Sequence, residues 1–152
     1  MTGPPTGLVV IDASALVALL ADGGATGEWV AESVAAAVLA APHLALFESA
    51  NVLRRQLLHG ALDQTQAALA HADLLALPLQ LWPYATLADR AWQLRGNLTA
   101  NDASYVALAE LLDAPLITLD GKLTSAHGPR CRILTPTKAK GSPGTDKPRT
   151  QR

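Results

Sequence analysis

Sulfur, aromatic rings and charge are all scarce in this chain of 152 residues. Cys131 is the single cysteine, which excludes an internal disulfide framework and fits a reducing compartment. Aromatic residues make up 4% of the chain, so aliphatic side chains must supply most of the core. No run approaches the roughly 20 apolar residues that a membrane span needs. The N-terminal "MTGPPTG" has no basic segment, and the apolar run after it is broken by Asp12, a pattern unlike a signal peptide. These absences lead us to expect a soluble, cytoplasmic protein with no membrane contact. The four histidines, His43, His59, His71 and His127, lack ligand spacing such as H-x-x-x-H and read as structural.

What the chain does have is apolar residues, 49% of it, and a mean hydropathy of +0.19. That suits one domain with a sizeable core. Charge is unevenly placed. From Thr137 onward, Lys138, Lys140, Lys147, Arg149 and Arg152 face one acid, Asp146, for a net +4, while residues 1–136 carry a net −5. An acidic body is not a nucleic-acid-binding composition, so a polyanionic substrate would require a bound cation. Residues 1–7 and 137–152, rich in Pro, Gly, Ser, Thr and Lys, read as disordered tails around a domain at 8–136.

Within the body, strand and helix patterns alternate. Leu8–Ile11 reads as a first strand, followed by helical text at about 14–21 and at 27–40. Pro42 interrupts, with a short strand expected around His43–Leu44. "FESANVLRRQLLHG" reads as a helix ending at Gly60, and Asp63 as the cap of the next helix, which Pro78 closes. "LPLQLW", "PLITLD" and "CRIL" supply three more strands, with helices "YATLADRAWQLRG" and "LTANDASYVALAELLDA" between them. This alternation predicts an α/β fold, a parallel sheet covered on both faces, with chemistry at the carboxyl ends of its strands.

Four acids sit against apolar text in this pattern. Asp12 and Asp120 end predicted strands; Glu48 and Asp102 lie at helix starts. Singly, each has a structural explanation: an N-cap for Asp12, a helix-dipole contact for Glu48, a capping box for Thr99-x-x-Asp102, a turn for Asp120-Gly121. Jointly, all four can lie at one edge of the sheet. Two carboxylates about 4 Å apart repel by about 4 kcal/mol at an effective dielectric of 20, so the cluster calls for protonation or cations. An all-oxygen ligand set suits Mg²⁺ or Mn²⁺. Ser14 and Thr118, each two residues from a strand-end Asp, alternate onto its side if the backbone stays extended. Asn51, Arg54 and Arg55 follow Glu48 on its helix and are candidates for contact with a substrate or a partner; a solvated helix face explains them as well.

The segments "VVIDASALVALL", "FESANVLRR", "LTANDASYVALAE" and "LITLDGKL" together resemble the PIN-domain ribonucleases, above all the VapC toxins of bacterial toxin–antitoxin pairs. The likeness covers about residues 8–135, with spacings of 36, 54 and 18 residues between the acids. It implies a three-layer α/β/α fold around a five-stranded parallel sheet of order 3-2-1-4-5, and a metal-binding, catalytic quartet on Asp12, Glu48, Asp102 and Asp120. Thr118 and Ser14 fall on the family's "T-x-D" and "D-x-S" hydroxyls. Asn101 departs from the family's aromatic or apolar residue before the Asp. The resemblance further implies Mg²⁺- or Mn²⁺-dependent RNA hydrolysis, a homodimer and a small antitoxin partner. A non-catalytic PIN-fold module that binds RNA or a partner is the alternative, but a pure binder has no need of four gathered carboxylates. A receiver-like phosphoacceptor fits poorly: Ala13 follows Asp12, and no acid ends "LQLWPY".

Overall fold

The computed structural model describes residues 3–137 of the chain. The basic segment expected as a tail lies, Thr137 apart, outside the described residues. Twelve elements follow in order: β1 (Leu8–Ile11), α1 (Ala13–Ala21), α2 (Ala25–Val34), β2 (Val38–Pro42), α3 (Leu44–Leu58), α4 (Gln64–Ala76), β3 (Leu79–Trp82), α5 (Tyr84–Gln93), α6 (Ala100–Leu111), β4 (Leu116–Ile117), α7 (Lys122–Ser125) and β5 (Ile133–Leu134).

The strands form one sheet of order β3-β2-β1-β4-β5, with every pairing parallel. Val9, Val10 and Ile11 in the central strand are fully buried, as expected where helices cover both faces. Helices α1 to α4 pack among themselves, α5 packs on α6, and α6 crosses β1 and β2. The order of connection reverses between β1 and β4, so a crevice opens beyond the carboxyl ends of those two strands.

Local chemistry explains most boundaries. Asp63 and Gln66 form a reciprocal capping box at the start of α4. Gly60 takes φ of +77° just past α3, a conformation that favours glycine.

The second strand is the main departure from expectation. The helix read over 27–40 stops at Val34, and the strand expected at His43–Leu44 lies instead at Val38–Pro42. "AAAVLA" is apolar on every side, so periodicity does not separate helix from buried strand there, and burial in the sheet overrides alanine's helix preference. His43 and Leu44 begin α3 instead. The last strand is shorter than "CRIL": Cys131 sits in a bend before Ile133.

One ion pair braces the connection from β4 to β5. Arg90 Nε and Nη2 donate to both carboxylate oxygens of Glu110, at 2.6 and 3.1 Å. Arg90 Nη2 also donates to the Gly128 carbonyl, and the Arg130 amide donates to Glu110. Two helices and a loop therefore share one bidentate clamp.

Candidate active site

Asp12 stands directly after β1 and caps α1, its Oδ1 accepting from the Ala15 amide at 3.0 Å. The capping role is real, yet it uses only part of the carboxylate. The Ser14 hydroxyl donates to Oδ1 at 2.6 Å, and the Thr118 hydroxyl donates to Oδ2 at 2.5 Å. Each hydroxyl oxygen in turn accepts a loop amide: Leu119 N at 3.1 Å for Ser14, Asp120 N at 2.9 Å for Thr118. Ser14 reaches Asp12 from the first turn of α1, not by strand alternation. The two hydroxyls tie the end of β1 to the loop after β4.

Glu48 lies in the second turn of α3 and Asp102 in the first turn of α6. The Tyr105 hydroxyl donates to Glu48 Oε1 at 2.7 Å. Half of the expected capping box forms: Thr99 Oγ1 accepts the Asp102 amide, and the Asp102 carboxylate returns no bond to Thr99. Asp120 lies in the loop three residues past β4, and its Oδ1 accepts the Lys122 amide at 2.9 Å.

All four carboxylates line one cavity of about 390 Å³, together with Ser14, Asn51, Arg55, Asn101 and Tyr105. Thr118, fully buried, stands behind Asp12 and does not line it. Arg54 is exposed and is not part of this lining. A larger concavity of about 660 Å³, bounded by Pro4, Trp29 and Arg132, includes none of the four acids.

Burial raises the pKa of Asp12, Glu48 and Asp102 above ordinary carboxylate values. Hydrogen bonds from Ser14, Thr118 and Ala15 oppose this for Asp12, and the charge of Asp102 adds to it. The Tyr105 bond opposes it for Glu48, while Asp102 and Asp12 add to it. For Asp102 the charge of Asp120 adds, and Thr99 and Lys122 oppose. The acids thus repel one another across the cavity, and its donor set of carboxylate oxygens suits a hard divalent cation. Among the described residues, however, no three His, Cys, Asp or Glu side chains converge into a ready metal cage. Several carboxylate oxygens are instead held by hydroxyls and amides of the protein.

Sequence reasoning missed Tyr105. Its side chain is 2% exposed, with the hydroxyl aimed at Glu48. The signal was its place three residues after Asp102, on the same helical face.

Comparison with known proteins identifies the family. The PIN domain family matches residues 9–128. Ribonuclease VapC1 of Mycobacterium tuberculosis is 40% identical over 128 residues, covering 82% of this chain and 94% of that protein. Ribonuclease VapC12 of the same species is 35% identical over 126 residues, covering 83% and 97%. Among solved structures, PAE2754 from Pyrobaculum aerophilum superposes with a TM-score of 0.59 at 26% identity, covering 88% of this chain and 87% of that one. The chain therefore belongs to the PIN-domain family, within its VapC ribonucleases.

Proposed function

We propose that this protein is a Mg²⁺- or Mn²⁺-dependent endoribonuclease, the toxin of a VapBC-type pair, with Asp12, Glu48, Asp102 and Asp120 as its metal-binding and catalytic acids. The observation that carries this reading is the convergence of four acids, from the end of β1, from α3 and α6 and from the loop after β4, on one cavity at the sheet's switch point. A bound divalent cation would polarise the scissile phosphate and lower the pKa of an attacking water.

The chain's own groups have separable tasks. Ser14 and Thr118 hold Asp12 in place, and Thr118 also fixes the amide of Asp120. Tyr105 holds one oxygen of Glu48. Asn51 and Arg55 line the cavity, which supports them as contacts for RNA; Arg54, outside that lining, is the better candidate for an antitoxin contact. Membership among the VapC proteins supports a small antitoxin partner, a homodimer and a cytoplasmic site of action, in a chain whose described helices are none of them long and apolar enough to cross a membrane. The domain unit is 8–136, flanked by the terminal segments 1–7 and 137–152.

The test is RNA cleavage in Mn²⁺ by the wild type and by Asp12→Ala and Asp102→Ala, with sequencing of the RNA 5′ ends. Cleavage abolished in both folded variants, and products with 5′-phosphate ends, are the expected result. Undiminished cleavage by both, with contaminating nuclease excluded, would leave the non-catalytic PIN-fold binding module as the reading.

A further inference from the structure

The cleft that holds the four acids does not end with them. On α1, Ser14 lines the acidic cavity, and the helical stripe Ser14, Val17, Ala18 and Ala21 lines a second cavity of about 440 Å³. On α3 the stripe Glu48, Val52 and Gln56 behaves alike: Glu48 and Val52 line the acidic cavity, Val52 and Gln56 the second one. The two helices pack on each other, so the cavities are consecutive stretches of one cleft, joined at Ser14 and Val52. The run of helix from Ser14 to Ala21 carries the cleft about 10 Å beyond the joint.

The chemistry changes along this cleft. Carboxylates ring the first stretch, whereas aliphatic side chains, Leu62 and Leu119 among them, wall the second. Among the described residues no Lys or Arg lines that second stretch, so a phosphate finds no partner in it. An uncharged ring does. Apolar walls with a few placed polar groups are what bury a base lifted out of its stack. Here those groups are Asp22 and Gln56, with Ser14 at the joint. Asp22 Oδ1 accepts the Gly24 amide at 2.7 Å, which fixes the carboxylate. A carboxylate offers acceptors only, so it pairs with the amino groups of adenine, cytosine or guanine. Uracil sets its one ring N–H between two carbonyls, which a carboxylate repels. The Gln56 amide supplies one donor group and one acceptor.

We infer that the cleft beyond Ser14 and Val52 is a nucleobase slot. It takes the base beside the scissile phosphate and favours one with an exocyclic amino group, read by Asp22 and Gln56. The inference rests on the ribonuclease reading for its substrate. The rival occupant is a protein side chain, from an antitoxin laid along the same cleft. A cleft shaped for that alone has no reason to tell one nucleoside from another.

Nucleosides test the slot without phosphate charge, metal or catalysis. Adenosine, cytidine and uridine are titrated separately into the isotope-labelled full chain, free of divalent metal, and the amide NMR signals of Gly23, Leu62 and Leu119 are followed. Adenosine and cytidine should move these signals at millimolar concentration. Uridine should bind at least about tenfold more weakly, within the discrimination that one well-placed pair of hydrogen bonds supplies. Asp22→Asn keeps the shape and the acceptor for the Gly24 amide, and should erase the preference. Ala61→Trp, at an exposed position that lines the slot, should remove the response to all three. Silence from every nucleoside, or equal affinity for the three in the wild type, would overturn the inference and leave the cleft to a protein partner. A preference unchanged in Asp22→Asn would overturn the role of Asp22. The ribonuclease reading is judged separately, by Mn²⁺-dependent cleavage in the wild type and Asp102→Ala. Cleavage without nucleoside binding sinks the slot alone, whereas selective nucleoside binding without cleavage sinks the ribonuclease alone.

Discussion

The Thr118 hydroxyl donates to Asp12 Oδ2 across 106 positions of sequence, and the same oxygen accepts the Asp120 amide. One buried side chain therefore sets the relation between two acids of the site. Thr118→Val keeps the shape and removes the hydroxyl, leaving a buried carboxylate oxygen and an amide without this partner. The expected cost is about 1–3 kcal/mol in chemical denaturation, with a marked loss of RNA cleavage. Thr118→Ser should recover most of both. Full cleavage by the Val variant would show that the hydroxyl does not organise the site.

Tyr105→Phe isolates the bond to Glu48. The phenol favours the ionised form of Glu48, so its removal raises that carboxyl further above the usual range. Mn²⁺ affinity, read by calorimetry, should fall about tenfold, the scale seen when partners that orient metal ligands are removed. Unchanged Mn²⁺ binding in a folded variant would assign Tyr105 to packing alone.

Removing charge should act differently at two of the acids. Asp12 caps α1 and receives two hydroxyls, so Asp12→Ala forfeits bonds as well as charge. Asp102 mostly suffers burial and the charge of Asp120. In the absence of divalent metal, Asp102→Asn should raise the unfolding midpoint by a few degrees, corresponding to about 1 kcal/mol, while Asp12→Ala lowers it. A midpoint that drops for both variants would mean that repulsion is not what Asp102 contributes.

Away from the site, Glu110 carries a pH-dependent share of stability. Burial works to raise its pKa, but the Arg90 bonds, the Arg130 amide and the nearby positive charge outweigh it and hold the carboxyl below its ordinary value. A depressed carboxylate contributes stability above the ordinary carboxylate range and loses it as pH falls through the lowered value. The wild type should therefore unfold at a higher temperature than Glu110→Gln at neutral pH, with the gap closing as pH falls below the ordinary carboxylate range and through the lowered value. Comparing the two proteins cancels the opposite contribution of the buried acids in the cavity. A gap independent of pH would mean that Arg90 and Glu110 act through shape only.

Much of this architecture is legible in the residues because the relevant signals are local. "LVVI" followed by Asp, the Asp63 cap and Gly60 each declare an element boundary through backbone chemistry that neighbours in sequence supply. The sheet order and the gathering of Asp12, Glu48, Asp102 and Asp120 on one cavity follow from strand-end placement combined with the family pattern. Elsewhere local signals are silent. Val38–Ala40 reads as helical because alanine carries no face, and the strand state of Val38–Pro42 is decided by pairing with β1 and β3. Tyr105 reads as core text in "DASYVALAELL", and its hydroxyl gains meaning only once α3 brings Glu48 to it. Ser14 stands out by strand alternation, yet it reaches Asp12 from a helix.

The two hydroxyls on Asp12 carry a consequence for proton traffic. Ser14 and Thr118 each accept a main-chain amide, so the one proton on each is free to point at Asp12, and both do so. A protonated Asp12 would forfeit one of these donors, so the two hydroxyls favour the acceptor state against the burial that raises its pKa. The residue that opens the site is thereby held between two opposed effects, and loss of either hydroxyl would tip it toward the protonated form.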